Sequence, residues 1–123
     1  MAGALTISTL NNDTGVLQTQ NGMTGIPKAW VRFDGTVATP STIYGAFNVS
    51  SVTRNGTGDY TINYTTAMPN INYSIVSTAQ GARIAMGTTL AAYAVGSCNI
   101  TSYDIGSSSY FNANPINVII CGS

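Results

Sequence analysis

The sequence has no histidine and no glutamate. Those two side chains do much of the proton transfer in enzymes near neutral pH. Without them, acid–base work would fall to Asp, Lys, Cys or Tyr. Asp34, Asp59 and Asp104 all lie in turn-like text, where aspartate normally serves local hydrogen bonding. Gly96-Ser97-Cys98 has no histidine to activate it, and no Gly-x-Ser-x-Gly elbow occurs. Two cysteines without histidine make no zinc set. No phosphate-cradling or calcium loop is present. No catalysis, cofactor or metal is therefore expected.

Charge of either sign is equally scarce. Lys28, Arg32, Arg54 and Arg83 oppose Asp13, Asp34, Asp59 and Asp104, so 7% of the chain is charged and the net charge is zero. An average protein carries about 25%. No basic patch exists to hold phosphates, which argues against nucleic acid as a partner. Thr, Ser, Asn and Gly take the place of charge, and contacts made by such a surface are insensitive to salt. Long apolar runs are missing as well. No stretch reaches the roughly 20 residues of a membrane helix, and Met1-Ala-Gly-Ala-Leu-Thr-Ile-Ser has neither the basic start nor the apolar core of a secretory signal. Neither a membrane nor an export route is expected. In a reducing cytoplasm, Cys98 and Cys121 read first as buried, reduced, small hydrophobes, and a disulfide between them is the sharper alternative. Five Asn-x-Ser/Thr sequons, at Asn12, Asn48, Asn55, Asn63 and Asn99, are what chance gives in so Asn- and Thr-rich a chain.

What is present is alternation punctuated by turns. Residues 1–27 are polar and Gly-rich, with little to bury, and read as an N-terminal arm that anchors the chain to a neighbour. From Lys28 the text changes. KAWVRF places Ala29, Val31 and Phe33 on one face and Trp30 and Arg32 on the other. GAFNVSSVT reads as a second strand with a bulge near Ser50-Ser51. Asn55-Gly56-Thr57-Gly58 reads as a hairpin turn with positive φ at Asn55-Gly56. DYTINYT then alternates cleanly, Pro69 closes that piece, and YSIVST follows. ARIAM and LAAYAV read as strands rather than one short helix. The end reads as a hairpin of CNITSY and PINVIICGS around the loop DIGSSSYFNANP. INVII is apolar on both faces, so it is either a central strand or covered by another chain. The predicted fold is all-β: an antiparallel β-sandwich over residues 28–123, jelly-roll-like.

KAWVRFDGT, FNVSSVTRNGTGDYTINYTTAMPNINYSIV and SYDIGSSSYFNANPINVII together resemble a C-terminal β-domain widespread in tailed-bacteriophage tail fibres and related virion proteins. The family's Ala-Trp-Val-x-Phe-x-Gly opening is met at Ala29–Gly35, its Val-Ser-Ser to Gly-Asp-Tyr run at Val49–Tyr60, and its Ala-Met-Pro-x-x-x-Tyr at Ala67–Tyr73. Arg54 stands where the family often has Asp. The resemblance implies a homotrimer on the virion, made in the cytoplasm of a bacterial host, that builds a fibre or fibre tip. It implies a contact with another virion protein through residues 1–27. The alternative is a capsid decoration protein or head fibre bound to the major capsid protein. If the domain attaches to a host, the recognition residues expected from the last loop are Tyr103, Tyr110, Phe111, Asn112 and Asn114. Tyrosine rings with neighbouring amides suit a host-surface glycan or protein. The competing expectation is that Tyr110 and Phe111 pin that loop to the core or to a neighbouring subunit.

Overall fold

The computed structural model describes Gly3 and residues 26–80, 84–86 and 93–122. They form nine strands: β1 Pro27–Phe33, β2 Ile43–Phe47, β3 Val49–Gly56, β4 Asp59–Tyr64, β5 Tyr73–Ala79, β6 Ile84–Met86, β7 Ser97–Asp104, β8 Ser109–Tyr110 and β9 Ile116–Gly122. Every pairing is antiparallel. One sheet runs β2-β1-β9-β5, the other β3-β4-β7-β6, with β8 beside β7. No helix occurs among the described residues. The expected arm, residues 1–27, lies almost wholly outside them, as do residues 90–92 of LAAYAV and Arg83. Of the two uncertain central segments, Ile84–Met86 is a strand on β7.

Alternation builds the core. Ala29, Val31 and Phe33 of β1 and Ile116, Val118 and Ile120 of β9 meet Val52, Tyr60, Ile62, Cys98 and Ile100 of the other sheet in one buried cluster. Phe33 and Tyr60 pack edge to face across it, 5.2 Å between centroids. The Tyr60 hydroxyl donates to Gly35 O and Asn112 Oδ1, each at 3.0 Å, which satisfies the one polar atom of a fully buried ring. The arrangement is that of a sandwich.

Several expectations are corrected. GAFNVSSVT is not one strand. It breaks at Asn48, where φ is +54°, and its halves enter different sheets. Asparagine tolerates this conformation, and its side chain holds the corner: Nδ2 donates to Lys28 O and Thr66 O, and Oδ1 accepts from Thr66 N. The bulge is where the pattern put it, between Val49 and Ser51. The β3–β4 turn is also in place, but its positive φ belongs to Gly58, at +67°, and not to Asn55-Gly56. CNITSY and PINVIICGS do not form a hairpin. β7 pairs with the two-residue β8, and the chain then crosses to the other sheet. INVII is central between β1 and β5. The jelly-roll-like order gives way to more local wiring, because β1–β2 and β3–β4 are hairpins inside single sheets. Cys98 and Cys121 are both free. They belong to different sheets, Cys98 facing the core and Cys121 in the strand position beside inward-facing Ile120, so the disulfide alternative falls.

Candidate functional site

The five loop residues do not share one surface. Tyr103 and Tyr110 are cross-strand partners, with rings edge to face at 5.2 Å. Tyr110 is 55% exposed. Phe111 packs against the core, and its N–H donates to Ser102 O. Asn112 turns inward, where Oδ1 accepts from Gly58 N and Tyr60 OH. These two residues fasten the end of the loop to the β3–β4 turn. Asn114 joins a separate cluster. Its Nδ2 donates to Asp34 Oδ2 at 2.7 Å and its Oδ1 accepts from Tyr44 OH at 3.0 Å. Asp34 also accepts from the N–H and hydroxyl of Thr36. The Thr36 hydroxyl, with smaller help from its N–H and from Tyr44, holds the Asp34 carboxyl below its ordinary value against the opposing effect of burial. That cluster ties the β1–β2 connection to the start of β9.

Outward-facing residues of β3, β4 and β7 make the outer surface of the second sheet. Inward Tyr60, Ile62 and Tyr64 leave Asp59, Thr61 and Asn63 outside, and inward Cys98, Ile100 and Ser102 leave Asn99, Thr101 and Tyr103 on the outer side, where Thr101 is itself buried. These groups bond to one another. Asn63 Nδ2 donates to Ser51 Oγ and Thr53 Oγ1. Asn55 Nδ2 donates to Thr61 Oγ1 at 2.9 Å and Asp59 Oδ1 at 3.2 Å, and Asn99 Nδ2 donates to Asp59 Oδ1 at 2.6 Å. Where β8 leaves β7, Tyr110 stands over Gly56, Thr57, Asp59, Asn99 and Thr101 and walls a groove of about 410 Å³.

The first sheet turns a different surface outward. Register aligns Phe47, Trp30, Ile119 and Val76 in one row across all four strands. Their exposures are 36, 41, 45 and 62%, so none is a core residue. The Trp30 indole lies against Gly45, where an added Cβ would sit 3.2 Å from the ring. Arg32 stacks over the Tyr44 ring beside the row, at 5.8 Å. The row crosses about 15 Å of sheet at ordinary strand spacing.

Neither outer surface stood out in the sequence. Asp59 read as a turn residue and Asn99 only as a chance sequon, because their neighbourhood depends on the β4–β7 register. The outward phases of DYTINY and CNITSY are visible in alternation, but not that they lie side by side. Comparison with protein-family models, with curated proteins and with solved structures gives no match for this chain.

Proposed function

We propose that this chain is a bacteriophage virion structural protein, a small tail-fibre-type module. In this reading it forms a homotrimer and builds a fibre or fibre tip. It contacts the host surface without catalysis, and residues 1–27 anchor it to another virion protein. The sequence resemblance over about residues 28–123 supplies the class. The structural observation that carries the assembly is the row Phe47, Trp30, Ile119, Val76. Isolated exposed apolar side chains need no explanation, but a contiguous band across a sheet does. Its neighbours supply little charge to keep it solvated. A second copy of the chain is the occupant that a closed ring of identical subunits provides. The opposite outer sheet, polar and internally bonded, is left for solvent and host. Such neutral bonding is indifferent to ionic strength, which suits a particle exposed to changing media.

Light scattering of the purified chain tests this. The expected mass is three times 12.8 kDa, about 38 kDa. Trp30→Glu puts a charge in the centre of the row and should release monomers that melt cooperatively. A wild-type chain that is monodisperse at 12.8 kDa would remove the assembly, and a Trp30→Glu trimer would remove the row from its interface.

A further inference from the structure

The groove walled by Tyr110 has a floor suited to hydroxyl groups. Asp59 is its one charged lining residue, and its Oδ1 is oriented by two amides, Asn55 and Asn99. Asn55 is held in turn by Thr61. A carboxylate fixed this way is a preorganised acceptor for ligand hydroxyls. Thr57, Asn99 and Thr101 line the groove with it, and amide and hydroxyl groups offer donors and acceptors together. The exposed Tyr110 ring is braced edge-on by Tyr103. It presents an apolar wall at small entropic cost. The combination of one ring and a polar floor matches a sugar ring, which has a C–H face and equatorial hydroxyls. An anionic ligand meets Asp59 and no cationic lining residue. The volume, about 410 Å³, exceeds ten times the roughly 30 Å³ share of one water, room enough in size for one sugar ring.

We infer that this groove binds a neutral sugar residue, with the ring against Tyr110 and hydroxyls on Asp59 and Asn99. The inference rests on the attachment reading above and names the ligand class that reading leaves open. Gly56 supplies a clean probe. It lines the groove, it is not among the positive-φ glycines, and an added Cβ there meets nothing within 4 Å. Gly56→Leu should therefore occupy the groove without straining the turn.

The experiment is a titration of the isotopically labelled full chain with glucose, galactose, mannose and N-acetylglucosamine, followed by amide chemical shifts. At least one sugar should shift Thr57, Asp59, Asn99, Thr101 and Tyr110 with saturation in the millimolar range. Tyr110→Ala and Gly56→Leu should each weaken that binding about tenfold or more, with core resonances and melting temperature retained. Added salt should not change it. Absence of saturable shifts at these residues with all four sugars overturns the inference. So does binding that survives Gly56→Leu, or, in a parallel titration with glucuronate, binding seen with that acid alone. The two readings fail separately: sugar binding by a chain that is missing from phage particles keeps the groove and removes attachment, whereas a chain present on phage particles that shows no saturable sugar shifts removes the groove and keeps attachment.

Discussion

Replacing Gly58 with alanine probes the joint between the β3–β4 turn and the last loop. Gly58 has φ +67°, a conformation that costs an L-residue about 1–2 kcal/mol. Space is a second obstacle. An added Cβ would overlap Ser102 O and lie 2.9 Å from both N and O of Phe111, and forcing extra atoms into packed structure costs about 1–3 kcal/mol. The same backbone carries two bonds, Gly58 N to Asn112 Oδ1 at 3.0 Å and Ser102 N to Gly58 O at 2.7 Å, so relief by movement would break them. The expected total is about 2–5 kcal/mol, a fall of about 10–20 °C for a domain near this size. Circular dichroism melts at one fixed protein concentration read it, because the proposed assembly would make the midpoint concentration-dependent. Gly58→Asn separates the causes: asparagine tolerates the φ but keeps the Cβ, so it should recover only part of the loss. Gly56→Ala is the control and should stay within about 0.5 kcal/mol of wild type, as surface changes away from special features do. A Gly58→Ala midpoint within about 3 °C of wild type, or a Gly56→Ala loss of equal size, would refute the reasoning.

Asn48→Ala should cost about 2–4 kcal/mol in chemical unfolding, since it loses three side-chain bonds and places alanine at φ +54°; Asn48→Gly should cost less, and equal losses would mean that the conformation contributes nothing. Burial lifts the Cys98 thiol from its ordinary 9.0 to about 11, so its contribution to stability is complete below pH 9 and is lost as pH rises toward 11. Two units correspond to about 2–3 kcal/mol, and urea midpoints should fall over that window in wild type and fall less in Cys98→Ala. Burial also raises the Tyr60 hydroxyl, to about 12, which extends the alkaline loss in the same direction. Cys98 should react with a thiol reagent only at the rate of unfolding, because the buried protonated thiol is inert; immediate labelling of Cys98 in the folded chain would contradict its placement.

Local chemistry was legible wherever one strand decides it. The alternation in KAWVRF and DYTINY grouped Ala29, Val31 and Phe33, and Tyr60, Ile62 and Tyr64, each on one face of its strand, and all six are buried. Two-faced apolarity left INVII either a central strand or one covered by another chain, and the pairing with β1 and β5 makes it central. The errors arose where distant partners decide. Asn48 looks like any strand residue until Lys28 O and Thr66 O come within reach of its amide. Positive φ falls at Gly58 rather than Gly56, and Gly58 lies against the backbone of Ser102 and Phe111, 44 and 53 residues further along. The final hairpin failed because an apolar strand fits either sheet, and pairing β9 between β1 and β5 buries both of its long edges. The outer row and the groove are register phenomena. Phe47, Trp30, Ile119 and Val76 come from four strands spread over most of the chain, and no local pattern aligns them. The sequence left Tyr110 and Phe111 either exposed or pinning the loop; Tyr110 is exposed and Phe111 packs on the core, while Asn112 and Asn114 have their amides committed to Tyr60, Tyr44 and Asp34.

The central claim is that this chain is a trimeric module of the phage fibre, and imaging of intact particles with a gold-labelled antibody against it tests that claim most directly. The account predicts label at the fibres or fibre tips, in numbers divisible by three per fibre. Purified, infectious particles without label would contradict it, and label spread over the capsid shell would replace it with a decoration protein.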